Sequence, residues 1–93
     1  MPTAQASVAI PTPARYMARL CNHFAHRVTV HREPESARVE FPHGVGTMQA
    51  TADHLEIHLE ASDPEKLATL QEVVSRHLKQ MASAETFEIN WTA

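Results

Sequence analysis

The sequence predicts an α+β fold in the order α-β-β-β-β-α-β: a two-layer domain in which one mostly antiparallel sheet carries both helices on one face. Three observations predict it. Thr12-Pro13 and Asp63-Pro64 each open a stretch with helical apolar spacing. Between them lie four β-type segments joined by short links that hold Pro34, Pro42, Gly44 and Gly46. One of these segments, His54–Glu60, alternates without a break: Leu55, Ile57 and Leu59 face one way and His54, Glu56, His58 and Glu60 the other. That is the signature of a half-buried strand.

Residues 1–11 hold Pro2, Pro11 and small side chains with no sustained period. They read as a flexible tail with a short extended piece at Ser7–Ile10, and residues 12–93 read as a single domain. The first helix takes Thr12 as N-cap and Pro13 at its first position. Met17, Leu20, Cys21 and Phe24 then mark one face, and Arg15, Arg19 and Asn22 the other. The β-branched run Val28-Thr29-Val30 ends that helix near Phe24–His26 and opens a strand to Arg32. Ala37–Phe41 is the second strand, and Thr47–Ala52 the third, with Met48, Ala50 and Ala52 inward. The two glycines between them are expected to supply positive φ to a hairpin. A second helix runs from Pro64 to about Ala82. The alternation of Phe87, Ile89 and Trp91 predicts a last strand, parallel to the fourth through a right-handed crossover.

A chain of 93 residues makes one core. Its net charge is −3 with both signs interspersed, which argues against nucleic acid and anionic membrane as partners. No apolar run approaches the roughly 20 residues of a membrane span. One cysteine cannot form an internal disulfide, and the start lacks the basic and apolar regions of a signal peptide. A cytoplasmic protein is expected. Seven histidines carry the net charge from −3 through zero as pH falls, so solubility should dip below neutral pH.

The densest chemistry lies in Leu20-Cys21-Asn22-His23-Phe24-Ala25-His26-Arg27. Cys-x-His-x-x-His offers ligand types that suit zinc, copper or iron. On an unbroken helix His23 and His26 lie about 60° apart, but Cys21 lies about 160° from His23. Cys21 therefore sits on the apolar side, where a thiol acts as a small hydrophobe and its pKa rises. His77 falls within the second helix's apolar face of Leu67, Leu70, Val73, Val74, Leu78 and Met81. A buried imidazole there needs a partner, which is either a backbone carbonyl, tyrosine or histidine, or a metal or ligand. Packing both helices on one face brings His77 toward His23 or Tyr16. His54 and His58 share the exposed strand face about 13 Å apart, too far for one ion. His31 and His43 are explained by surface position. Phosphate loops, dinucleotide turns, nucleophile elbows and His-Glu-x-x-His are all lacking, so an enzyme using Cys21 as nucleophile is the weakest reading.

These residues, together with Val73-Val74-x-x-His77-Leu78, resemble the small bacterial family termed domain of unknown function 2218. The resemblance runs from Thr12 to Trp91. It includes Ala14–Tyr16, the Phe41–Gly44 turn and the closing Trp91. Asn22, Arg27 and Met81 depart from it, since those positions look more often basic, lysine and aromatic in the family. The resemblance implies Cys21, His23, His26 and His77 as the motif positions. It also implies an iron connection, because some members resemble accessory domains of siderophore-interacting proteins. The functional expectation is a binding or accessory module for a transition metal (iron, zinc or copper) or an iron–siderophore species, in reach of a siderophore-pathway protein. The alternative is a homodimeric assembly domain with structural histidines and no metal.

Overall fold

The structure, a computed structural model, describes residues 2–92. Its elements are β1 (Thr3–Ala9), α1 (Pro13–Phe24), β2 (Thr29–Arg32), β3 (Ser36–Phe41), β4 (Gly44–Ala50), β5 (His54–Ala61) and α2 (Pro64–Met81). The strands form one sheet in the order β1-β5-β4-β3-β2, antiparallel throughout. Both helices pack on one face of it, which makes the fold α+β as the sequence predicts.

Register follows from alternation. Ala6, Ile57, Met48 and Ala37 are cross-strand partners, all buried on the helix side. Each strand thereby turns its polar residues outward, as an antiparallel sheet with one solvated face requires. The helices close the core with Met17, Leu20 and Cys21 from α1 and Leu70, Val74 and Leu78 from α2. The start of α2 is fixed as expected, with the Asp63 carboxylate accepting from the Lys66 amide at 2.8 Å.

Several expectations are corrected. Most of the stretch read as a tail is β1, which pairs with β5 from Thr3↔Glu60 to Ala9↔His54. Ala4, Ala6 and Val8 are buried there, so apolar burial and a full ladder hold the segment. Among the described residues the last strand is absent, and residues 83–92 meet the sheet through one antiparallel bridge between Gln5 and Thr92. β1 already occupies the edge of β5 that a parallel crossover strand would need. The alternation at the C-terminal end serves packing instead. Phe87, Ile89 and Trp91 lean on the core, and the Trp91 indole donates to Ser75 Oγ at 2.9 Å.

The glycines also differ from expectation, since neither has positive φ. Pro42 holds its own φ near −65°, which excludes the primed turns that need positive φ there. Thr12 does precede α1, but in the left-handed region, with φ 47° and ψ 59°, and its side chain makes no cap. Its carbonyl accepts from the Arg15 and Tyr16 amides instead. Ala52 is exposed in the turn after β4, not inward in a strand.

Candidate functional site

The last turn of α1 places Cys21, His23 and Phe24 on three different surroundings. Cys21 points at the sheet and is 1% exposed. Burial pushes its thiol pKa up, against a smaller opposing pull from Arg32. A thiol held protonated among aliphatic neighbours is a poor nucleophile and a poor ligand. Phe24 fills the gap between helix and sheet, edge-on to Phe41 with centroids 5.0 Å apart. His23 lies on the flank, exposed, with its ring beside that of Phe24 at 5.9 Å.

α2 supplies the partner. The rings of His77 and His23 have centroids 4.6 Å apart and are tilted by 41°, and Phe24 lies 5.4 Å from His77. The expected approach of the two histidines is therefore present. His77 is not sunk in the core, however. It is half-buried, and its Nδ1 donates to the Val73 carbonyl of its own helix at 2.6 Å. A carbonyl only accepts, so Nδ1 carries the proton and Nε2 of the neutral ring keeps its lone pair. Backbone bonds of this kind fix the tautomer of metal-binding histidines. Tyr16 does not join the pair: its hydroxyl donates to Glu85 at 2.8 Å. That bond, with burial and the Glu85 charge, raises its pKa, while Arg19 lies 5.6 Å from its ring centroid.

His23 is held below the ordinary imidazole pKa. The first cause is loss of water against the packed rings, followed by the repulsion that a charged His23 would meet from His77, His26 and Arg27 when they carry charge. His26 lies exposed beyond the helix end, its amide bonded to the His23 carbonyl. Among the described residues no group of three or more His, Cys, Asp or Glu is placed to hold a metal ion. Of Cys21, His23, His26 and His77, the structure pairs only His23 with His77.

Two of the other histidines have acidic partners. His54 Nδ1 lies 2.7 Å from Asp53 Oδ1. His31 does not stand alone: its Nε2 donates to Glu40 Oε2 at 2.7 Å. The Trp91–Ser75 and Tyr16–Glu85 bonds carry no local sequence signal, since their partners lie 16 and 69 residues apart.

With this geometry in place, comparison identifies the chain's relatives. Residues 5–92 match the family described as "Uncharacterized protein conserved in bacteria (DUF2218)". The chain belongs to that family. The chain is similar to a solved structure described as "NMR structure of PA4090 from Pseudomonas aeruginosa". It is 35% identical, with 99% of this chain and 96% of that chain covered and a TM-score of 0.83. No curated protein matches the chain. Neither the family description nor that of the solved structure names iron or a siderophore, so the expected siderophore association has no support from them. Among the described residues no helix is long and apolar enough to cross a membrane.

Proposed function

We propose that this domain is a small binding module that takes a divalent transition metal on the imidazoles of His23 and His77. The observation that carries the reading is the 4.6 Å separation of the two rings. Two imidazoles sharing one ion at about 2.0–2.1 Å from each nitrogen bring their centroids to roughly 4.5 Å at a right angle and roughly 5.2 Å at the tetrahedral angle, so closing on an ion needs only a small shift of the rings. The Val73 bond leaves Nε2 of His77 available, and the lowered pKa of His23 keeps that ring neutral and able to ligate near pH 7. Imidazole suits zinc, copper, nickel and iron. Two protein nitrogens leave the remaining positions to water, a chelating small molecule or a partner, which suits an accessory role.

Titration of the apo protein with Zn²⁺ or Cu²⁺, followed by imidazole NMR and melting temperature, tests this. Binding at 100 times Kd adds about 2.7 kcal/mol to stability. The rise should vanish in His23→Ala with His77→Ala and persist in Cys21→Ala. Absence of any rise with either ion, or a rise indifferent to the double substitution, would overturn it. One observation favours the structural-histidine part of the homodimer reading. The Val73 carbonyl already satisfies one nitrogen of His77, and among the described residues no third ligand is at hand. Under that reading the solution mass at micromolar concentration is twice that of the chain and metals change nothing.

A further inference from the structure

The face of the sheet away from the helices is a shallow open hollow of about 1000 Å³. Asn90 and Thr92 bound it at the β1 end, and Glu33 and Ser36 at the β2 end. Its floor is ordered by register. His31 faces Arg38, Arg38 faces Thr47, Thr47 faces His58, and His58 faces Gln5. One residue from each strand thus forms a straight row across the sheet, with neighbours about 4.7–4.9 Å apart. Every member can donate a hydrogen bond.

The middle of the row has no partner of its own. Among the described residues no hydrogen bond or ion pair engages the side chains of Arg38, Thr47 or His58. Two of the acids on this face are engaged, while the side chain of Glu60, two residues beyond His58 on the same strand, has no hydrogen-bond partner among the described residues. Glu56 accepts from Ser7 at 2.7 Å, and Glu40 accepts from His31 at 2.7 Å. What remains is a guanidinium, a hydroxyl and an imidazole side by side, with a short donor between two long ones. Long outer donors reaching over a short central one suit a tetrahedral oxyanion, and guanidinium geometry matches phosphate oxygens bidentately.

From this row we propose that the outer sheet face holds a phosphate site, with Arg38, Thr47 and His58 as donors, for small phosphate-bearing molecules. The site is independent of the His23–His77 pair on the helix side. Inorganic phosphate is the probe, titrated into the full chain with NMR detection and ionic strength held constant with chloride. Saturable amide shifts confined to Arg38, Thr47, His58 and their strand neighbours are expected. Arg38→Gln should weaken binding about tenfold, the usual scale for a hydrogen bond to a charged group. Glu56→Gln, which removes one of the negative charges beside the row, should tighten it about two- to threefold. Both positions are exposed strand sites, so the folds should survive. Shifts linear in phosphate and unchanged by Arg38→Gln would overturn the proposal. A dimer that buries this face in sedimentation would overturn it as well.

Discussion

Gly44→Ala tests whether the glycines of β4 are there for closeness rather than for backbone freedom. A Cβ on Gly44 would lie 2.1 Å from the Glu60 carbonyl oxygen and 2.9 Å from Ala61 Cα, both main-chain atoms of the adjacent strand. To reach the 3.4 Å of ordinary contact, β4 and β5 must part at the end of their ladder. Overpacking of this kind costs about 1–3 kcal/mol. One ladder bond lost adds about 1 kcal/mol. Reduced freedom of the unfolded chain returns about 0.4–1 kcal/mol. The net loss is about 1–3.6 kcal/mol, centred near 2, a fall in Tm of roughly 5–25 °C for a domain of this size. Gly46→Ala is the control. There the new methyl meets Leu59 Cδ2 at 3.0 Å and Phe41 Cε2 at 3.2 Å, the ends of side chains that can shift. Its cost of about 1 kcal/mol is largely offset by the same chain-entropy gain, so Tm should move by less than about 5 °C. Urea unfolding of both variants decides the matter. Equal losses at the two positions, or a larger loss at Gly46, would refute the reasoning.

Four further outcomes are expected. His23 has a lowered folded-state pKa, so between that value and the ordinary one near 6.5 the unfolded chain binds more protons. Stability in metal-free buffer should therefore be unaffected above the ordinary pKa and fall as pH drops through it, and His23→Gln should flatten the slope in a pH series of urea melts. Thr12→Gly should raise stability by up to about 1 kcal/mol, because a β-branched residue at φ 47° carries about 1–2 kcal/mol of strain and glycine gives back part in chain entropy; calorimetry reads it. Trp91→Phe removes the donor to Ser75, should cost about 1 kcal/mol, and should speed proteolysis after α2. Leu78→Ala, at a fully buried position, should cost about 2–5 kcal/mol in chemical denaturation.

Where local periodicity decided the structure, the sequence was readable. α2 has an Asp63 cap, a proline at its first turn and a 3.6-residue stripe, and all three act as expected. β5 has strict alternation and is buried in register on one side. β1 was obscured because its inward residues are two alanines and a valine, which contrast little with outward Gln5, Ser7 and Ala9. What makes it a strand is the long apolar row of β5 beside it, a tertiary fact. The C-terminal segment shows the reverse. Its alternation is strong, but alternation reports one buried face and not a ladder partner. Packing against α2 and the core satisfies it as well as a sheet would. The Phe41–Gly44 turn was readable but misread: Pro42 alone excludes the turn type that would have called for positive φ.

The two candidate sites were legible to unequal degrees for a physical reason. His23 and His77 each stand out against a helix face, and packing two helices on one side of a sheet limits where they can meet. Their side chains needed only that one tertiary assumption. The outer row has no such local mark. His31, Arg38, Thr47, His58 and Gln5 lie at uneven spacings, and three hairpins and the β1–β5 pairing jointly align them. Side chains alternate with period two, so a one-residue slip in any single pairing sends a strand's outward residues to the core side. The apolar residues of β3, β4 and β5 forbid such a slip, because it would expose Val39, Met48 or Ile57. The hydrophobic face thus sets the position of the polar one, and a row of donors on the solvent side depends on burial on the other.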